Sequence, residues 1–313
     1  MRKIIVDKIN FSVRLDKFLV KEFFSLGMTR GEVIRSIKSG DILVNNKKIK
    51  PSYKLKSGDV IVSPSLQLSP ERREGSVLKP NYDLKIKIIY QDENVIVVDK
   101  PAGLSVHPSQ PEEKDTLINF LIYKFPEILN VHDDLAEVKL RPGIVHRLDK
   151  DTSGVMVVAR NMKAFRELKK LFKEHKIEKK YLALVYGKMR EKSGVISKPI
   201  ARAGNYRKQV IAGRKTKTKI REAVTFYKVL KEFDNHSLLE VVPKTGRMHQ
   251  IRIHLFSIGH PVVGDKLYKL RRIKAIQAPR QMLHATSIKF KLFGRNYFFT
   301  SPLPDIFQKK KGF

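Results

Sequence analysis

One short block of the sequence holds a carboxylate in a setting suited to chemistry. Residues 143–154 read GIVHRLDKDTSG, so that Asp149 follows Arg147 and precedes a Thr-Ser-Gly turn, and the apolar run 155–159 comes next. This order is typical of a loop that enters a buried strand, and loops on a rigid scaffold commonly hold catalytic groups. A cation within about 4–6 Å keeps a carboxylate ionised, and an oriented carboxylate can act as a nucleophile. Asp149 is therefore the candidate catalytic residue, and the alternative is a turn aspartate that caps backbone amides.

A second block, residues 179–187, offers an aromatic side chain to a cleft. Tyr181 begins a predicted strand over 181–186 and alternates faces with Leu182, so its ring can project into a cleft. An aromatic ring can stack on a flipped base, which contributes about 1–3 kcal/mol per base, and a phenol hydroxyl can assist proton removal. The alternative is a tyrosine that only packs in the strand core.

A third block, residues 241–254, brings arginines to the start of a helix. A Thr-Gly turn precedes Arg247, and the predicted helix begins near His249 and ends before Gly259. Arginine is always charged and can form two parallel hydrogen bonds with a carboxylate. Arg252, further along the same helix, is expected to meet a phosphate.

The elements that position these blocks belong to more than one domain. The 313 residues are enough for two domains at about 100–200 residues each. Residues 12–63 have the pattern of a small unit with two helices and a hairpin, and residues 64–83 form a linker punctuated by prolines. Residues 84–302 form a second, strand-rich domain, and residues 303–313 form a tail.

Local patterns predict the main elements of both domains. In the first, Thr29 and Glu32 match a capping box, Gly40 suits a helix C-terminus, and Asn45-Asn46 suits a turn with positive φ. In the second, Asn161 is expected to cap a helix over 162–175. Strands are predicted over 86–88, 95–98, 181–186 and 238–242.

Charge and composition limit the classes of partner. There are 64 Lys and Arg residues against 31 Asp and Glu residues, a net charge of +33, which points to a polyanion. A lysine-rich proteome bias explains only part of this excess. A membrane is disfavoured because no apolar run approaches the roughly 20 residues that span a bilayer. The N-terminus lacks a signal-peptide pattern, so we expect a cytoplasmic protein. Cysteine is absent, which excludes disulfides and thiol nucleophiles.

The block at 143–154 resembles the signature of the pseudouridine synthases of large-subunit ribosomal RNA, the Rlu family. The resemblance extends over the second domain and includes the blocks 179–187, 241–254, 264–268 and 281–285. It implies an α+β catalytic domain with a mixed, mainly antiparallel sheet and a central cleft. It also implies site-specific isomerisation of uridine to pseudouridine, with a uridine flipped out of the RNA stack.

The resemblance assigns roles to individual residues. Asp149 would be the nucleophile, Tyr181 the stacking tyrosine, and Arg247 the arginine that pairs with the aspartate. Arg147 would fill or hold the space left by the flipped base, and the base-flipping and substrate-positioning set would be completed by His146 and Thr152. Attack at the sugar and attack at the base both remain open. No cofactor is expected, because reactant and product are isomers.

The first domain resembles the S4 RNA-binding domain, also called the αL motif. By this resemblance, two helices and a hairpin face structured RNA, and a ribosomal RNA or a pre-ribosomal particle is the expected partner. The alternative is a solvated basic face on an ordinary small domain. The residues expected near RNA are Arg14, Lys17, Thr29, Arg30, Arg35 and Lys38.

Some site classes are disfavoured, and two other functions stay open. His249 and His254 are five residues apart, which is the wrong spacing for one helical face, so no metal site is expected. No phosphate-cradling glycine loop is present, so no nucleotide cofactor is expected. Lys269 stands where the family commonly has glycine, which leaves substrate choice open. The alternatives are a synthase that acts on transfer RNA and a non-catalytic RNA-binding protein of ribosome assembly, and the sequence is silent on oligomeric state.

Overall fold

The computed structural model describes residues 2–7, 12–22, 30–63, 78–108, 113–132, 141–204, 208–214, 216–270 and 278–307. The chain divides into two units. One contains Met1–Lys79, Pro108–Lys114 and His132–Pro142, and the other contains Pro80–His107, Asp115–Val131 and Gly143–Phe313. Thr29, most of the predicted linker (64–77) and the end of the predicted tail (308–313) lie outside the described residues.

The first unit contains two short helices and a small antiparallel sheet. Its elements are β1 (Arg2–Ile5), α1 (Leu15–Glu22), α2 (Arg30–Ser39), β2 (Leu43–Val44) and β3 (Val60–Ser63). The sheet order is β1-β3-β2. Its core is formed by apolar residues from both helices and the sheet, among them Leu15, Leu19, Val33, Ile37 and Ile61. The predicted order of two helices followed by a hairpin is confirmed.

The hairpin turn of the first unit has the predicted positive φ angles. Asn45 and Asn46 have φ of 50° and 59°, and Gly40 has φ of 94° just after α2. The Asn45 side chain also ties the turn to β3, because its amide group donates to Asp59 and its oxygen accepts from the N–H of Val60, both at 2.8 Å. Short polar side chains of this kind tolerate left-handed backbone by bonding locally.

The second unit is built mainly from strands, with three α-helices and two short 3-10 turns among its described residues. The strands are β4 (Lys87–Gln91), β5 (Val95–Lys100), β6 (Ser153–Ala159), β7 (Glu178–Tyr186), β8 (Ser193–Ser197), β9 (Ile200–Arg202), β10 (Gln209–Ile211), β11 (Val224–Glu232), β12 (His236–Pro243), β13 (Leu283–Leu292) and β14 (Arg295–Thr300). The helices are α3 (Leu117–Lys124), α4 (Met162–Lys173) and α5 (Gln250–Ser257), and the 3-10 turns are Pro126–Asn130 and Asp305–Phe307. In the part of the chain that is described, no helix is long and apolar enough to cross a membrane.

One large sheet organises the second unit. Its strand order is β4-β5-β6-β13-β7-β12-β11-β8, and β14 pairs with β13. The pairing of β6 with β13 is parallel, whereas the other pairs of this sheet are antiparallel. β9 and β10 form a separate antiparallel pair. The prediction of an α+β fold with a mixed, mainly antiparallel sheet is confirmed.

The centre of the sheet brings together the segments 143–154 and 179–187, which carry Asp149 and Tyr181. Ala285 of β13 pairs with Gly154 at the start of β6 on one side and with Tyr181 of β7 on the other. Gly154 has φ of +119°, and a Cβ added to it would lie 2.2 Å from the carbonyl oxygen of Ala285. Only glycine fits this position, because a side chain would collide with the neighbouring backbone. The Asp149 loop therefore enters the sheet two strands away from Tyr181.

Helix α4 is amphipathic and packs against the sheet as the sequence predicts. The Asn161 side chain caps it by accepting from the N–H of Ala164 at 2.8 Å. The residues that it buries are Ala164, Phe165, Leu168 and Leu171. The helix ends in a Schellman motif, in which the N–H of His175 donates to Phe172 O and that of Lys176 donates to Leu171 O. The left-handed position of this motif is His175, with φ of 57°.

Candidate active site

A cavity of about 550 Å³ opens in the second unit around the Asp149 loop. Its walls come from the loop before β6, the end of α4, the start of β7 and the turn before α5. Most of its charged lining side chains are cations, and Asp149 is the carboxylate among them. A cavity of this size is within the range that holds a small ligand. The cationic wall suits a substrate that carries negative charge.

Asp149 is held by Arg252, which is itself held by a second aspartate. Nη1 of Arg252 donates to Oδ2 of Asp149 at 2.7 Å. The other edge of the guanidinium donates to Asp265 through Nε at 2.6 Å and Nη2 at 2.8 Å. Asp265 also accepts the N–H groups of Leu267 and Tyr268. Both carboxylates raise the pKa of Arg252 against the effect of burial, so the guanidinium stays charged.

This arrangement corrects the prediction for two arginines. Arg247 does not contact Asp149; its Nε donates to the backbone oxygen of Glu222 at 3.1 Å, and its side chain lies in the cavity wall. Arg252, which was expected to meet a phosphate, is buried and bound to two carboxylates. The cause is helical direction: Arg247 lies in the turn before α5, whereas Arg252 lies inside the helix and points towards the Asp149 loop.

Two cations bind backbone oxygens of the Asp149 loop directly after the aspartate. Nζ of Lys100, at the end of β5, donates to Lys150 O at 3.0 Å, Leu104 O at 2.9 Å and Pro101 O at 2.8 Å. Burial lowers the pKa of Lys100 to about 7, although the charges of Asp149 and Asp151 act in the opposite direction. Arg280, just before β13, donates to Asp151 O at 3.3 Å and to the hydroxyl of Ser153 at 3.0 Å.

Tyr181 lies in the cavity wall within the electrostatic reach of Asp149. Its side chain is buried, and burial followed by the negative charge of Asp149 raises the pKa of its hydroxyl. The phenol is therefore neutral at ordinary pH. In this state its ring can pack against a base and its hydroxyl can donate a hydrogen bond, but it cannot accept a proton as a phenolate.

His249 and Tyr268 complete the surroundings of Asp149. Nε2 of His249 lies 3.9 Å from Oδ1 of Asp149, and Nδ1 lies 3.1 Å from the hydroxyl of Tyr268. His249 has φ of 54° immediately before α5. Burial lowers the pKa of His249, while the charge of Asp149 raises it. This histidine therefore faces the carboxylate oxygen that Arg252 does not bind.

The remaining residues expected to flip or position the base also line the cavity, and each has a different hydrogen-bond partner. Arg147 is exposed, and its Nη1 lies 3.3 Å from Nε2 of His107. His146 accepts the N–H of Val157 at 3.0 Å, and burial lowers its pKa to about 3, so it is a neutral anchor of the loop. The hydroxyl of Thr152 accepts from the Gln281 side chain at 2.6 Å.

The residues expected near RNA in the first unit lie mainly on exposed positions. Lys17, Arg35 and Lys38 are exposed. Arg14 forms two hydrogen bonds with the buried carboxylate of Asp16, at 2.9 and 3.0 Å, so that one edge of its guanidinium is used within the protein. Helix α2 begins at Arg30. The RNA-binding role of this set stays a prediction.

Sequence reasoning did not identify Asp265, Lys100 or Gln250 as parts of the site. The side chain of Gln250 shapes the turn that carries Arg247, because its oxygen accepts from the Thr245 hydroxyl at 2.7 Å and from Arg247 N–H at 3.0 Å. The signal for Asp265 was its place in the family-like block 264–268. Among the described residues, no three His, Asp or Glu side chains are grouped so as to hold a metal ion.

Two family models match the chain. The model described as RNA pseudouridylate synthase matches residues 94–257, and the model of the S4 domain matches residues 13–61. The first match contains Asp149, Tyr181 and Arg252. The second match contains α1, α2, β2 and the start of β3.

Individual proteins are similar over most of the chain. A protein of Aquifex aeolicus, named an uncharacterized RNA pseudouridine synthase, is 41% identical over 86% of this chain and 80% of its own length. The ribosomal large subunit pseudouridine synthase D of Borreliella burgdorferi is 36% identical over 95% of this chain and 88% of its own. The solved structure of human RNA pseudouridylate synthase domain containing 1 has a TM-score of 0.58 and 29% identity, covering 72% of this chain and 86% of the human chain.

Proposed function

The chain belongs to the RNA pseudouridylate synthase family and is an RNA-modifying isomerase with an S4 domain, and we propose that it converts a specific uridine of large-subunit ribosomal RNA to pseudouridine. The observation that carries the proposal is the Asp149 carboxylate, which Arg252 orients in a cationic cavity beside Tyr181. Ribosomal RNA is supported by the relatives named as ribosomal large subunit synthases. This substrate implies a cytoplasmic enzyme.

Asp149 is proposed to act as the nucleophile on a uridine that has left its stack. The carboxylate attacks the ribose or the uracil ring, the bond between C1′ and N1 breaks, and the uracil turns within the cavity. C1′ then bonds to C5, the proton leaves C5, N1 gains a proton, and the carboxylate is released. Atoms balance without a cofactor, because the product is an isomer of the substrate.

Arg252 and Tyr181 support this step in different ways. The single hydrogen bond from Arg252 fixes Asp149 through Oδ2, so Oδ1 can face the substrate. The neutral Tyr181 stacks on the uracil and keeps it in the cavity while it turns. Arg147, exposed at the cavity wall, is proposed to hold the space that the flipped base leaves in the RNA.

The alternative functions differ in substrate or in the presence of chemistry. A synthase that acts on transfer RNA would use the same site. A non-catalytic RNA-binding protein of ribosome assembly would not need an oriented carboxylate, so the contacts of Asp149 argue against it.

Tritium release tests the proposal directly, because isomerisation replaces the hydrogen at C5. Transcribed ribosomal RNA and transfer RNA, each labelled at C5 of uridine, are incubated with the wild-type protein and with Asp149→Asn. We expect release from ribosomal RNA with the wild type, and a loss of at least about 10³-fold for Asp149→Asn, since nucleophilic catalysis is removed.

Asp151→Asn is the matched control, because Asp151 lies in the same loop and contributes its backbone oxygen to Arg280. It should retain most of the activity. Release from transfer RNA alone would identify transfer RNA as the substrate in place of ribosomal RNA. An RNA that is bound tightly by the wild type but never loses tritium, either free or within ribosomal particles, would support the non-catalytic alternative.

A further inference from the structure

A cluster of basic side chains in the cavity wall has no role in the isomerisation step proposed above. Lys179 precedes Tyr181 by two positions, so both side chains lie on the same face of β7. A Cβ added to Gly246 would lie 3.7 Å from Nζ of Lys179, which places this ammonium beside the turn that carries Arg247. Burial, followed by the nearby charges of Arg247, Lys179 and Lys244, lowers the pKa of His175 at the end of α4.

Lys179 and Arg247 have no carboxylate partner among the described residues. The polar contact of Arg247 is to the backbone oxygen of Glu222, and Lys179 lies 5.7 Å from the ring centre of Phe172. The neighbouring Lys180, on the other face of β7, is paired with Glu240 at 3.3 Å. Burial lowers the pKa of Lys179 to about 8, as expected for a cation that lacks a counter-charge.

The position of His175 is a second, independent observation. Both α4 and α5 end in a Schellman motif, which needs a residue with left-handed backbone. Helix α5 uses Gly259 there, with φ of +87°, whereas α4 uses His175. A residue with a Cβ costs roughly 1–2 kcal/mol at such a position. The chain accepts this strain and thereby gains an imidazole in the cavity wall, beside Lys179 and Arg247.

We propose that Lys179, Arg247 and His175 form a subsite for a phosphodiester group of the RNA backbone that flanks the target uridine. The proposal rests on the proposed function, because it assigns one end of the same substrate. Lys179 and Tyr181 are separated by about 7 Å along the strand. This separation suits a phosphate and a base that are neighbours in the RNA chain. The phosphate supplies the counter-charge that Lys179 and Arg247 lack and fixes the nucleotide while the uracil turns.

The test compares Lys179→Gln with Lys180→Gln, which removes the neighbouring charge on the opposite face. Binding of transcribed large-subunit ribosomal RNA is measured at several salt concentrations. We expect Lys179→Gln to raise Kd by about 10–100-fold, as for the loss of one charged hydrogen bond. The slope of log Kd against log salt should become shallower by roughly 0.7–0.9, the loss of one phosphate contact. Lys179→Arg should restore most of the affinity.

A second arm identifies the group that Lys179 contacts. Once the modified uridine is mapped, an RNA fragment is made with a neutral methylphosphonate on either side of it. At one of these two positions the wild-type protein should lose affinity, and Lys179→Gln should cause no further loss on that RNA. If Lys179→Gln lowered affinity by the same factor on both methylphosphonate RNAs as on the unmodified RNA, the proposal would be overturned. A fall in kcat for Lys179→Gln without a change in Kd would overturn it as well.

Thermal unfolding separates a binding role from a structural one. If Lys179 served only to pack against Phe172, its replacement would lower Tm. The phosphate subsite predicts that Lys179→Gln keeps or raises Tm, because an unpaired cation is removed from a partly buried site. The salt-dependence measurements on whole ribosomal RNA need no turnover, whereas the methylphosphonate arm needs the mapped uridine. A wild type that binds RNA without releasing tritium would refute the proposed function. The salt slopes of Lys179→Gln and Lys180→Gln would still show whether Lys179 contacts a phosphate.

Discussion

The guanidinium of Arg252 lies between two carboxylates that have different surroundings. Asp265 is fully buried and receives two of its hydrogen bonds, whereas Asp149 is partly exposed and receives one. One positive charge is thus shared between two negative charges. Asp149 is oriented without being fully neutralised, and its Oδ1 remains directed towards His249. An aspartate in this state is fixed in position and still able to attack.

We expect Arg252→Lys to reduce activity although it keeps the charge. A lysine cannot bind Asp265 through two parallel bonds and reach Asp149 at the same time. Misplacement of a reacting group by about 1 Å can cost on the order of 10²-fold, so kcat for tritium release should fall by about this factor. KM should change much less, because the cationic wall of the cavity is intact.

Arg247→Lys is the matched control, since Arg247 lies in the same cavity wall and contacts no carboxylate. It should reduce kcat by less than about tenfold, because its charge and its place in the wall are kept. An equal loss of kcat in the two variants would show that the contact between Arg252 and Asp149 has no special part in the reaction.

The sequence predicted a loop position for Asp149 and a strand position for Tyr181, but it assigned the pairing with Asp149 to Arg247, whereas Arg252 makes that contact. Local order suffices for a loop that enters a strand and for the alternation of faces along β7. The sequence does not show which side chains of α5 point towards the Asp149 loop. Residues 250–255 are all buried, so no exposed polar face fixes the orientation of the helix. Asp265 binds Arg252 through a tertiary contact, and no local spacing predicts it.

At the scale of elements, the junction of β6 with β13 determines where the Asp149 loop lies. The parallel pairing is short, with Ser153 opposite His284 and Gly154 opposite Ala285. The hydroxyl of Ser153 lies 2.9 Å from Nδ1 of His284 and also accepts from Arg280. Backbone and side-chain bonds thus meet at the first residues of β6, directly after the loop.

Gly154→Ala should strongly destabilise the second unit. The added Cβ would lie 2.2 Å from Ala285 O and 2.6 Å from Ala285 N, at a φ of +119°. Strain and overpacking together should lower the free energy of unfolding by about 3 kcal/mol or more. Urea denaturation followed by far-UV circular dichroism measures this loss.

The comparison variant is Gly259→Ala, which also changes a glycine with positive φ but has no atom within 4 Å of the added Cβ. Its cost should be limited to about 1–2 kcal/mol of backbone strain. If the two variants lost the same free energy, the close approach of β6 and β13 would not be a determinant of stability.

Helix α4 and some of the strands, among them β5, β7 and β12, could be predicted, whereas β13 and the arrangement of the strands in the sheet could not. The cap at Asn161 and the apolar spacing of α4 are local signals. The central place of β13 follows from hydrogen bonds to β6 and β7, which are far from it in sequence. A family resemblance implied a mixed sheet, but periodicity alone carries no information on strand order.

For the whole molecule, the net charge of +33 predicts strong dependence of RNA binding on salt. The exposed residues Lys17, Arg35 and Lys38 lie on or beside the two helices of the S4 domain. Replacing all three by glutamine should make the slope of log Kd against log salt shallower by about 2–3, roughly one for each lost phosphate contact. Filter binding of transcribed ribosomal RNA measures the slope.

A triple variant with the same loss of charge provides the comparison. Lys228, Lys289 and Lys291 are exposed on strands of the second unit. Their replacement by glutamine should change the slope by less than about one, because no phosphate contact is assigned to them. Equal changes in the two triple variants would mean that charge acts over the whole surface and that the S4 helices have no preferred role.

The place of β13 in the sheet has a consequence for the nascent protein. Asp149 and Tyr181 are synthesised well before Leu283–Leu292, the strand that joins their two halves of the sheet. Until β13 arrives, β6 and β7 present unpaired edges, and β6 consists of residues that are all buried in the finished fold. The modifying activity therefore cannot begin while this strand is still inside the ribosome. During that interval, the apolar β6 is a segment prone to aggregation, because its edge and its apolar side chains are still uncovered.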